Sequence, residues 1–322
     1  MLELFDGIRN ELQVVEEELR AVLQAQNPLL AETSTHLLDA GGKRLRPALS
    51  ILGAKFYNFN LEDVLPLAVA LELIHMATLI HDDVVDGSVT RRGAPTVKAR
   101  WGNGISTHIG TYLFAKSLVL VAKYEEKKPL ISRVLTDTSV KMCEGEIQQI
   151  SASFNIYQNI RDYFYRVKRK TALLITASAQ LGAVACGAGS NIYLPLRRYG
   201  NNIGMAFQIT DDILDIMADQ SQLGKPVGSD LRQGIITLPV IYALKKCEHK
   251  GRLIELAGKV EKSEEEVQEA IEIIRGCGAI DYSFEIAGKY LSKAKEELMA
   301  LPDLPARNTL ALIADFIGVR KF

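Results

Sequence analysis

The chain is poor in every residue pattern that would fix a structure by covalent or metal cross-links. Its four cysteines, Cys143, Cys186, Cys247 and Cys277, are widely scattered and form no C-x-x-C. That spacing argues against a disulfide framework or a zinc site and reads as reduced core thiols of a cytoplasmic protein. Charge of one sign is never concentrated either. With 38 Lys and Arg against 39 Asp and Glu, the chain lacks the electrostatic footprint of a nucleic-acid binder. The N-terminus, Met1-Leu2-Glu3-Leu4-Phe5-Asp6, is acidic and has no basic n-region of a signal peptide. A bilayer-spanning run is missing: the longest apolar stretch, Leu65 to Ile80, is interrupted by Pro66, Glu72, His75 and Thr78 and fits a buried core helix. No Ser/Gly/Pro-rich linker divides the sequence, so residues 1–322 are expected to form a single domain.

Helical patterning fills the space these absences leave. Hydrophobic residues make up 48% of the chain, enough for a large core. They recur at helical spacing, and no convincing run of strict alternation appears. Between Leu4 and Gln24 the stripe is Leu12, Val15, Leu19, Val22 and Leu23, with Glu16-Glu17-Glu18 outside it. Further helices are expected from Pro28 to near Gly41-Gly42, Pro47 to Tyr57 and Val64 to Val85. Others fit residues 104–123, 128–151, 160–186, 193–217, 280–300 and 305–318. Ser263-Glu264-Glu265-Glu266 reads as a capping box opening a helix to Arg275. The best strand candidate, residues 235–241, contains Pro239 and reads better as a helix capped near Thr237. Asp219 to Gly234, with Gly224, Pro226, Gly228 and Gly234, should be a loop. The expectation is an all-α fold of ten or more helices.

Two acidic clusters of one form stand out, His81-Asp82-Asp83-Val84-Val85-Asp86 and Thr210-Asp211-Asp212-Ile213-Leu214-Asp215. Each follows a strongly apolar stretch. An unpaired buried carboxylate costs several kcal/mol or neutralises itself by a pKa shift. Six acids at two matched sites therefore call for a counter-charge, and a divalent cation is the natural one. On a helix Asp82 and Asp86 share a face, as do Asp211 and Asp215, while Asp83 points about 100° away. Mg²⁺ keeps several waters and binds through one or two carboxylates plus substrate phosphates. A faint repeat accompanies the clusters, since Met76-Ala77 and Ile80 precede Asp82 as Met205-Ala206 and Ile209 precede Asp211. It suggests two equivalent helices facing one cavity. The competing view of a single D-D-x-x-D is a solvated helix end.

Cations flank these acids. Gly41-Gly42-Lys43-Arg44-Leu45-Arg46-Pro47 puts three cations after a glycine pair, where Pro47 fits a first helical turn. Cations oppose the dipole there, and a bound anion would remove the conflict; a plain basic surface turn is the alternative. Arg91-Arg92-Gly93 follows Asp86 closely, a placement suited to phosphate beside metal. Lys170-Thr171 sits where the basic run Arg166, Lys168, Arg169 turns apolar. Lys225, in Gly224-Lys225-Pro226, could close over phosphate from a loop. His75 lies two turns before Asp82 on the same face. His81 beside Asp82 raises a rival, a histidine–aspartate phosphohydrolase, but His36, His108 and His249 fall in no ligand spacing.

Taken together these residues resemble the trans-prenyl diphosphate synthase family, and its medium- and long-chain members in particular. The resemblance rests on G-G-K-R-x-R-P at 41–47, D-D-x-x-D with R-R-G at 82–93 and K-T-A at 170–172. It continues with F-Q-x-x-D-D-x-x-D at 207–215 and G-K-P-x-G-x-D-L at 224–231. It implies an all-helical fold around a deep central cavity, usually as a homodimer. By motif position Asp82, Asp86 and Asp211 would hold Mg²⁺, about three ions with diphosphate bound, and Asp83, Asp212 and Asp215 would support them. Arg91, Lys170, Thr171, Gln208 and Lys225 would bind the allylic diphosphate. Lys43, Arg46, His75 and Arg92 would hold isopentenyl diphosphate. The implied reaction is ionisation of the allylic diphosphate, attack by the isopentenyl double bond and proton loss, lengthening the chain by one isoprene unit.

Two positions depart from the family pattern. Ile235 stands where many members have lysine, in Gly234-Ile235-Ile236-Thr237-Leu238-Pro239, and Thr111 stands where many have aspartate. Short-chain relatives plug the tail cavity with an aromatic residue four or five positions before the first aspartate. Here Thr78 and Ala77 are small. The tail would pass at least a helix turn deeper, about 5.4 Å, towards Ile74 and Leu73, giving roughly six to eight isoprene units for a quinone side chain. A catalytic subunit needing a small partner protein is the alternative. A terpene cyclase would not need the second diphosphate site at Gly41–Pro47 and His75.

Overall fold

The computed structural model describes residues 3–217 and 227–319. A 3₁₀ turn at Glu3–Ile8 leads into α1 (Arg9–Leu23), α2 (Pro28–Asp39), α3 (Leu45–Ala54) and α4 (Leu61–Val85). A small antiparallel hairpin, β1 (Thr90–Arg91) with β2 (Ala94–Pro95), pairs Thr90 with Pro95 and Arg91 with Ala94. It is followed by α5 (Val97–Ala122), α6 (Pro129–Ser151), α7 (Ile160–Val167), α8 (Leu173–Ala185) and α9 (Ser190–Met217). The remainder is α10 (Ser229–Arg232), α11 (Leu238–Lys246), α12 (Lys250–Gly258), α13 (Glu264–Arg275), α14 (Ala279–Leu298) and α15 (Pro305–Gly318). The fold is all-α.

The chain forms two compact units, each discontinuous in sequence. The first comprises Met1–Asp137, Leu174–Gly200 and Glu297–Ile313; the second comprises Thr138–Leu173, Asn201–Glu296 and Ala314–Phe322. In the first unit α4 is the core helix. Leu67 to Ile74 are all buried, so the helix is apolar on every face rather than amphipathic. Asn60 caps it, accepting from the Glu62 N–H at 3.1 Å. Pro66 removes a donor inside it. Tyr124 repairs the spot, its hydroxyl donating to the Asp63 carbonyl at 2.7 Å and accepting from the Leu67 N–H at 3.1 Å. By length and composition α4 and α5 are both long and apolar enough to cross a membrane, but α4 is mostly buried in its unit and is a core helix. It starts three residues before the helix expected from Val64 to Val85 and ends where that helix does.

The core of the second unit gathers Tyr163 and Val167 of α7, Met205, Ile209, Ile213 and Ile216 of α9, and apolar residues of α11 to α14. The capping box is present: Ser263 Oγ accepts from the Glu266 N–H, and the Glu266 carboxylate accepts from the Ser263 N–H.

Four expectations need correction. The helix anticipated over 160–186 is not continuous, because Lys168–Ala172 winds as a π-turn between α7 and α8. The helix anticipated from 104 begins at Val97, with a break at Gly102, whose φ of 82° only glycine adopts readily. Asp219 to Gly234 is not all loop, since Ser229–Arg232 is helical; residues 218–226 lie outside the described ones. Among the cysteines, Cys186 and Cys247 are buried, Cys277 is half-buried and Cys143 is exposed, so Cys143 is not a core thiol.

Candidate active site

The first aspartate motif ends α4. Asp82 and Asp83 lie in its last turn, Asp86 is its C-cap, and the Asp86 N–H donates to the Asp82 carbonyl at 2.8 Å. No basic residue occupies that turn. Carboxylates at the negative end of a helix dipole repel it as well as each other, so this helix end favours a cation. The three acids are not equivalent. Asp82 and Asp86 are half-buried. Asp83 is 2% exposed and turned to Arg91, which donates to its Oδ1 from Nε at 2.9 Å and Nη2 at 2.7 Å. Arg91 is thus held by Asp83 at the start of the hairpin, and Arg92 follows at a left-handed turn position, φ 55°.

Around this hairpin the same unit assembles a cationic cluster. Arg44 is the N-cap of α3 in the left-handed conformation, φ 47°. It bonds Glu16 at 2.8 Å and Glu72 at 3.3 Å, which leaves Arg44 as a structural cation. A side chain at Gly42 would come within 2.6 Å of Arg92 Nη1 and 2.7 Å of Arg44 Nη1, so the glycine is what lets the two guanidiniums approach. Lys43 is exposed and Arg46 half-buried. His75 feels the whole cluster. Desolvation, then Arg46, Arg92, Arg91 and Arg44, push its pKa well below the usual imidazole value, so it is neutral. A neutral histidine among four arginines can donate one N–H to an anion without adding charge.

His81 is turned away from metal chemistry. Its Nε2 lies 3.3 Å from the Thr107 carbonyl, and a side chain at Gly110 would sit 2.6 Å from its Cδ2. His36 is likewise engaged, 2.7 Å from the Pro95 carbonyl and edge-on to Trp101. Ala77 and Ile74 are both 2% exposed, and Thr78 is half-buried with its hydroxyl donating to the His75 carbonyl. Thr111, on α5, is exposed and donates to the Thr107 carbonyl.

The second motif lies on α9, in the second unit. The repeat noted in the sequence has matched burial: Met76 and Met205, Ile80 and Ile209, and Asp83 and Asp212 are buried, while Asp82 and Asp211 are half-buried. The match fails at the third acid. Asp215 is 1% exposed and its Oδ2 accepts from the Asp230 N–H at 3.0 Å, whereas Asp86 is half-buried. Asp215 therefore ties down the segment after the motif, and Asp211 is the half-exposed carboxylate. Asp212 faces inward. It accepts from Tyr163 Oη at 2.6 Å and Gln208 Nε2 at 2.8 Å, and burial followed by the Asp230 charge pushes its pKa up to about 7. Gln208 also accepts from Thr171 Oγ1 at 2.6 Å, giving the relay Thr171–Gln208–Asp212–Tyr163. Lys170 Nζ pairs with Glu146 at 2.8 Å. Ile235 is half-buried, with its N–H donating to the Asp230 carbonyl. Lys225 lies outside the described residues.

No three His, Cys, Asp or Glu side chains converge as a ready-made metal cage among the described residues. That suits Mg²⁺, which takes one or two carboxylates and completes its shell with water and phosphate. In the first unit half-buried Asp82 and Asp86, at the end of α4, are oxygen donors of the kind Mg²⁺ takes, and in the second unit half-buried Asp211 is another.

Residues 27–274 match the model of the polyprenyl synthetase family. The chain belongs to this family. It is 45% identical over 318 residues to heptaprenyl diphosphate synthase component 2 of Bacillus subtilis, covering 99% of this chain and 90% of the relative. Among solved structures it resembles heptaprenyl diphosphate synthase of Staphylococcus aureus, with a TM-score of 0.92, 36% identity, and 98% and 99% of the two chains covered. It also resembles a polyprenyl synthase of Caulobacter crescentus complexed with calcium and isoprenyl diphosphate. There the TM-score is 0.94, identity is 34%, and 100% and 98% are covered. As a polyprenyl synthase the chain is a transferase, a prenyltransferase of isoprenoid biosynthesis.

Several site residues carried no motif signal. Tyr163 binds Asp212, Glu146 binds Lys170, and buried Arg166 donates to Gln158 Oε1 and the Ile236 carbonyl. In the sequence Arg166 reads only as the first member of the basic run with Lys168 and Arg169; Tyr163 and Glu146 gave no sign.

Proposed function

We propose that residues 1–322 work as one polyprenyl synthase domain that elongates an allylic diphosphate with isopentenyl diphosphate in a Mg²⁺-dependent reaction. The product is a medium- or long-chain all-trans polyprenyl diphosphate of heptaprenyl class. The observation that carries the reading is the cationic cluster of Arg46, Arg91, Arg92 and neutral His75 beside the acid-ended helix α4. A cyclase needs one diphosphate site; Arg46, Arg92 and His75, beside the Asp83-held Arg91, support a second. The engagement of His81 with α5 weighs against a histidine–aspartate phosphohydrolase.

In this reading Asp82, Asp86 and Asp211 hold the metal, and Asp83 acts through Arg91. Bound Mg²⁺ supplies Lewis-acid stabilisation of the charge developing on the departing diphosphate. Lys170, Arg91 and Lys225 bind that diphosphate, with Gln208 orienting Thr171 beside it. Lys43, Arg46, Arg92 and His75 hold isopentenyl diphosphate so that its double bond meets the allylic carbon. Buried Ala77 and Ile74 and half-buried Thr78 leave the tail path free of an aromatic plug.

A second subunit belongs to the same proposal, supported by the Bacillus subtilis relative being named as one component of a synthase. A face for self-association is supported by Val140, Ile147 and Ile150, exposed at helical spacing on α6. Purified protein incubated with Mg²⁺, farnesyl diphosphate and labelled isopentenyl diphosphate tests the reading. Polyprenyl products of six to eight units are expected, alone or after addition of a small partner subunit. Phosphate release without chain growth would overturn it.

A further inference from the structure

The π-turn Lys168–Ala172 carries Lys170 and Thr171, yet its sequence Lys-Arg-Lys-Thr-Ala has neither glycine nor proline. A π-turn is a rare, strained insertion that is common at functional sites. Since nothing local demands this one, packing within the second unit must impose it. On one side lies Glu144-Gly145-Glu146 of α6. A side chain at Gly145 would sit 2.7 Å from Arg169 Cβ and 3.4 Å from the Lys170 backbone nitrogen. The flanking acids reach around this contact, Glu144 to the Arg169 guanidinium and Glu146 to Lys170 Nζ at 2.8 Å. On the other side a side chain at Gly204 of α9 would lie 2.5 Å from Ala172 Cα. One turn further along α9, Gln208 accepts from Thr171 Oγ1. The turn is thus gripped by two glycine contacts and three polar ones, and each of its functional side chains has a dedicated holder.

We infer that Gly145 and Glu146 are positioning residues for the allylic diphosphate, an inference that rests on the function proposed above. Gly145 sets the depth at which the turn sits against α6. Glu146 aims Lys170 without consuming it, because an ammonium has three donors and can keep Glu146 while giving two to phosphate oxygens. Glu146 is no ligand of the substrate itself; removing it frees Lys170 to leave its rotamer. A displacement of even about 1 Å in such a group can cost up to a hundredfold in rate.

Gly145→Ala, Glu146→Gln and Glu146→Asp, each in the full chain, test this with Mg²⁺, farnesyl diphosphate and isopentenyl diphosphate. In Gly145→Ala and Glu146→Gln the KM for farnesyl diphosphate is expected to rise about tenfold, with the KM for isopentenyl diphosphate within about twofold of the parent. Glu146→Asp, which keeps the charge, should recover part of the loss. Calorimetric Kd values for farnesyl diphosphate, measured without isopentenyl diphosphate, should weaken in parallel and need no turnover. An unchanged farnesyl diphosphate KM and Kd in Glu146→Gln, or an equal rise in both KM values, would overturn the inference. If Gly145→Ala does not fold, Glu146→Gln decides alone. A parent protein that binds farnesyl diphosphate but elongates it neither alone nor with a small partner subunit would overturn the proposed function instead, while the Kd comparison still judges Glu146.

Discussion

Arg91 gives two donors to a single oxygen of Asp83, Nε at 2.9 Å and Nη2 at 2.7 Å. The middle acid of the first motif is thereby an arginine holder, and the proposed function gives the metal to the outer two, Asp82 and Asp86. Asp82→Asn and Asp83→Asn should therefore fail differently. Asp82→Asn is expected to lower kcat/KM by about 10²-fold or more and to shift the Mg²⁺ requirement upward. Asp83→Asn should raise the KM for the allylic diphosphate by about tenfold with the Mg²⁺ dependence unchanged. Steady-state kinetics over a Mg²⁺ titration separate the two, and matching Mg²⁺ curves for both variants would refute the division of labour.

Arg44 serves stability. Its side chain is 12% exposed and paired with Glu72, 2% exposed, besides Glu16. Arg44→Met should destabilise the protein by about 3 kcal/mol, chiefly because buried Glu72 loses its hydrogen-bonded partner and keeps only the charge of Arg92 nearby. The double variant Arg44→Met, Glu72→Met should recover much of that loss. Urea unfolding of the single and double variants checks it; an additive double variant would show that the pair is not coupled.

His75 makes stability depend on pH. Its folded pKa lies well below the unfolded value of about 6.5, so between the two the unfolded chain binds more protons. Stability from this site is complete above about pH 6.5 and is lost as pH falls towards the folded pKa. His75→Gln should flatten the difference in melting temperature between pH 7.5 and 5.5 relative to the parent. Identical pH slopes in the two proteins would count against it.

Much of this was legible in the sequence because helices report their faces through a period of 3.6 residues. Leu12 to Leu23, the capping box at Ser263 and both aspartate motifs fell where the pattern put them. The π-turn was invisible because tertiary contacts at Gly145 and Gly204 create it, and neither is near 168–172 in sequence. Spacing also could not separate Asp86 from Asp215. Both are i+4 from a half-buried aspartate, yet Asp215 is buried and accepts from the Asp230 amide in the first turn of α10, whereas Asp86 is half-buried. The commitment of Asp83 to Arg91 depends likewise on a hairpin too short for any alternation to show.

On the proposed function, we predict that product length turns on Ala77. It is 2% exposed on α4, with Ile74 behind it in the same core. Ala77→Phe adds a ring at a buried position that the proposed function places along the tail path, and overpacking costs about 1–3 kcal/mol. The expected result is a product shortened by two or more isoprene units, read by mass spectrometry of the dephosphorylated alcohols, with the melting temperature lowered by a few degrees at most. A product of parental length from a folded Ala77→Phe enzyme would place the tail elsewhere.

Ile235 marks where this chain can gain a function its relatives have. The residue is half-buried, and its backbone is fixed by the bond from its N–H to the Asp230 carbonyl. The position is thus held in place whatever side chain it bears. Ile235→Lys supplies the cation that many family members carry there, on a stem long enough to reach solvent or phosphate. The KM for farnesyl diphosphate should fall about three- to tenfold, with a steeper dependence on salt, since one more charge contact is made. Kinetics at low and high ionic strength check this. An unchanged KM at both would mean that the position does not face the diphosphate.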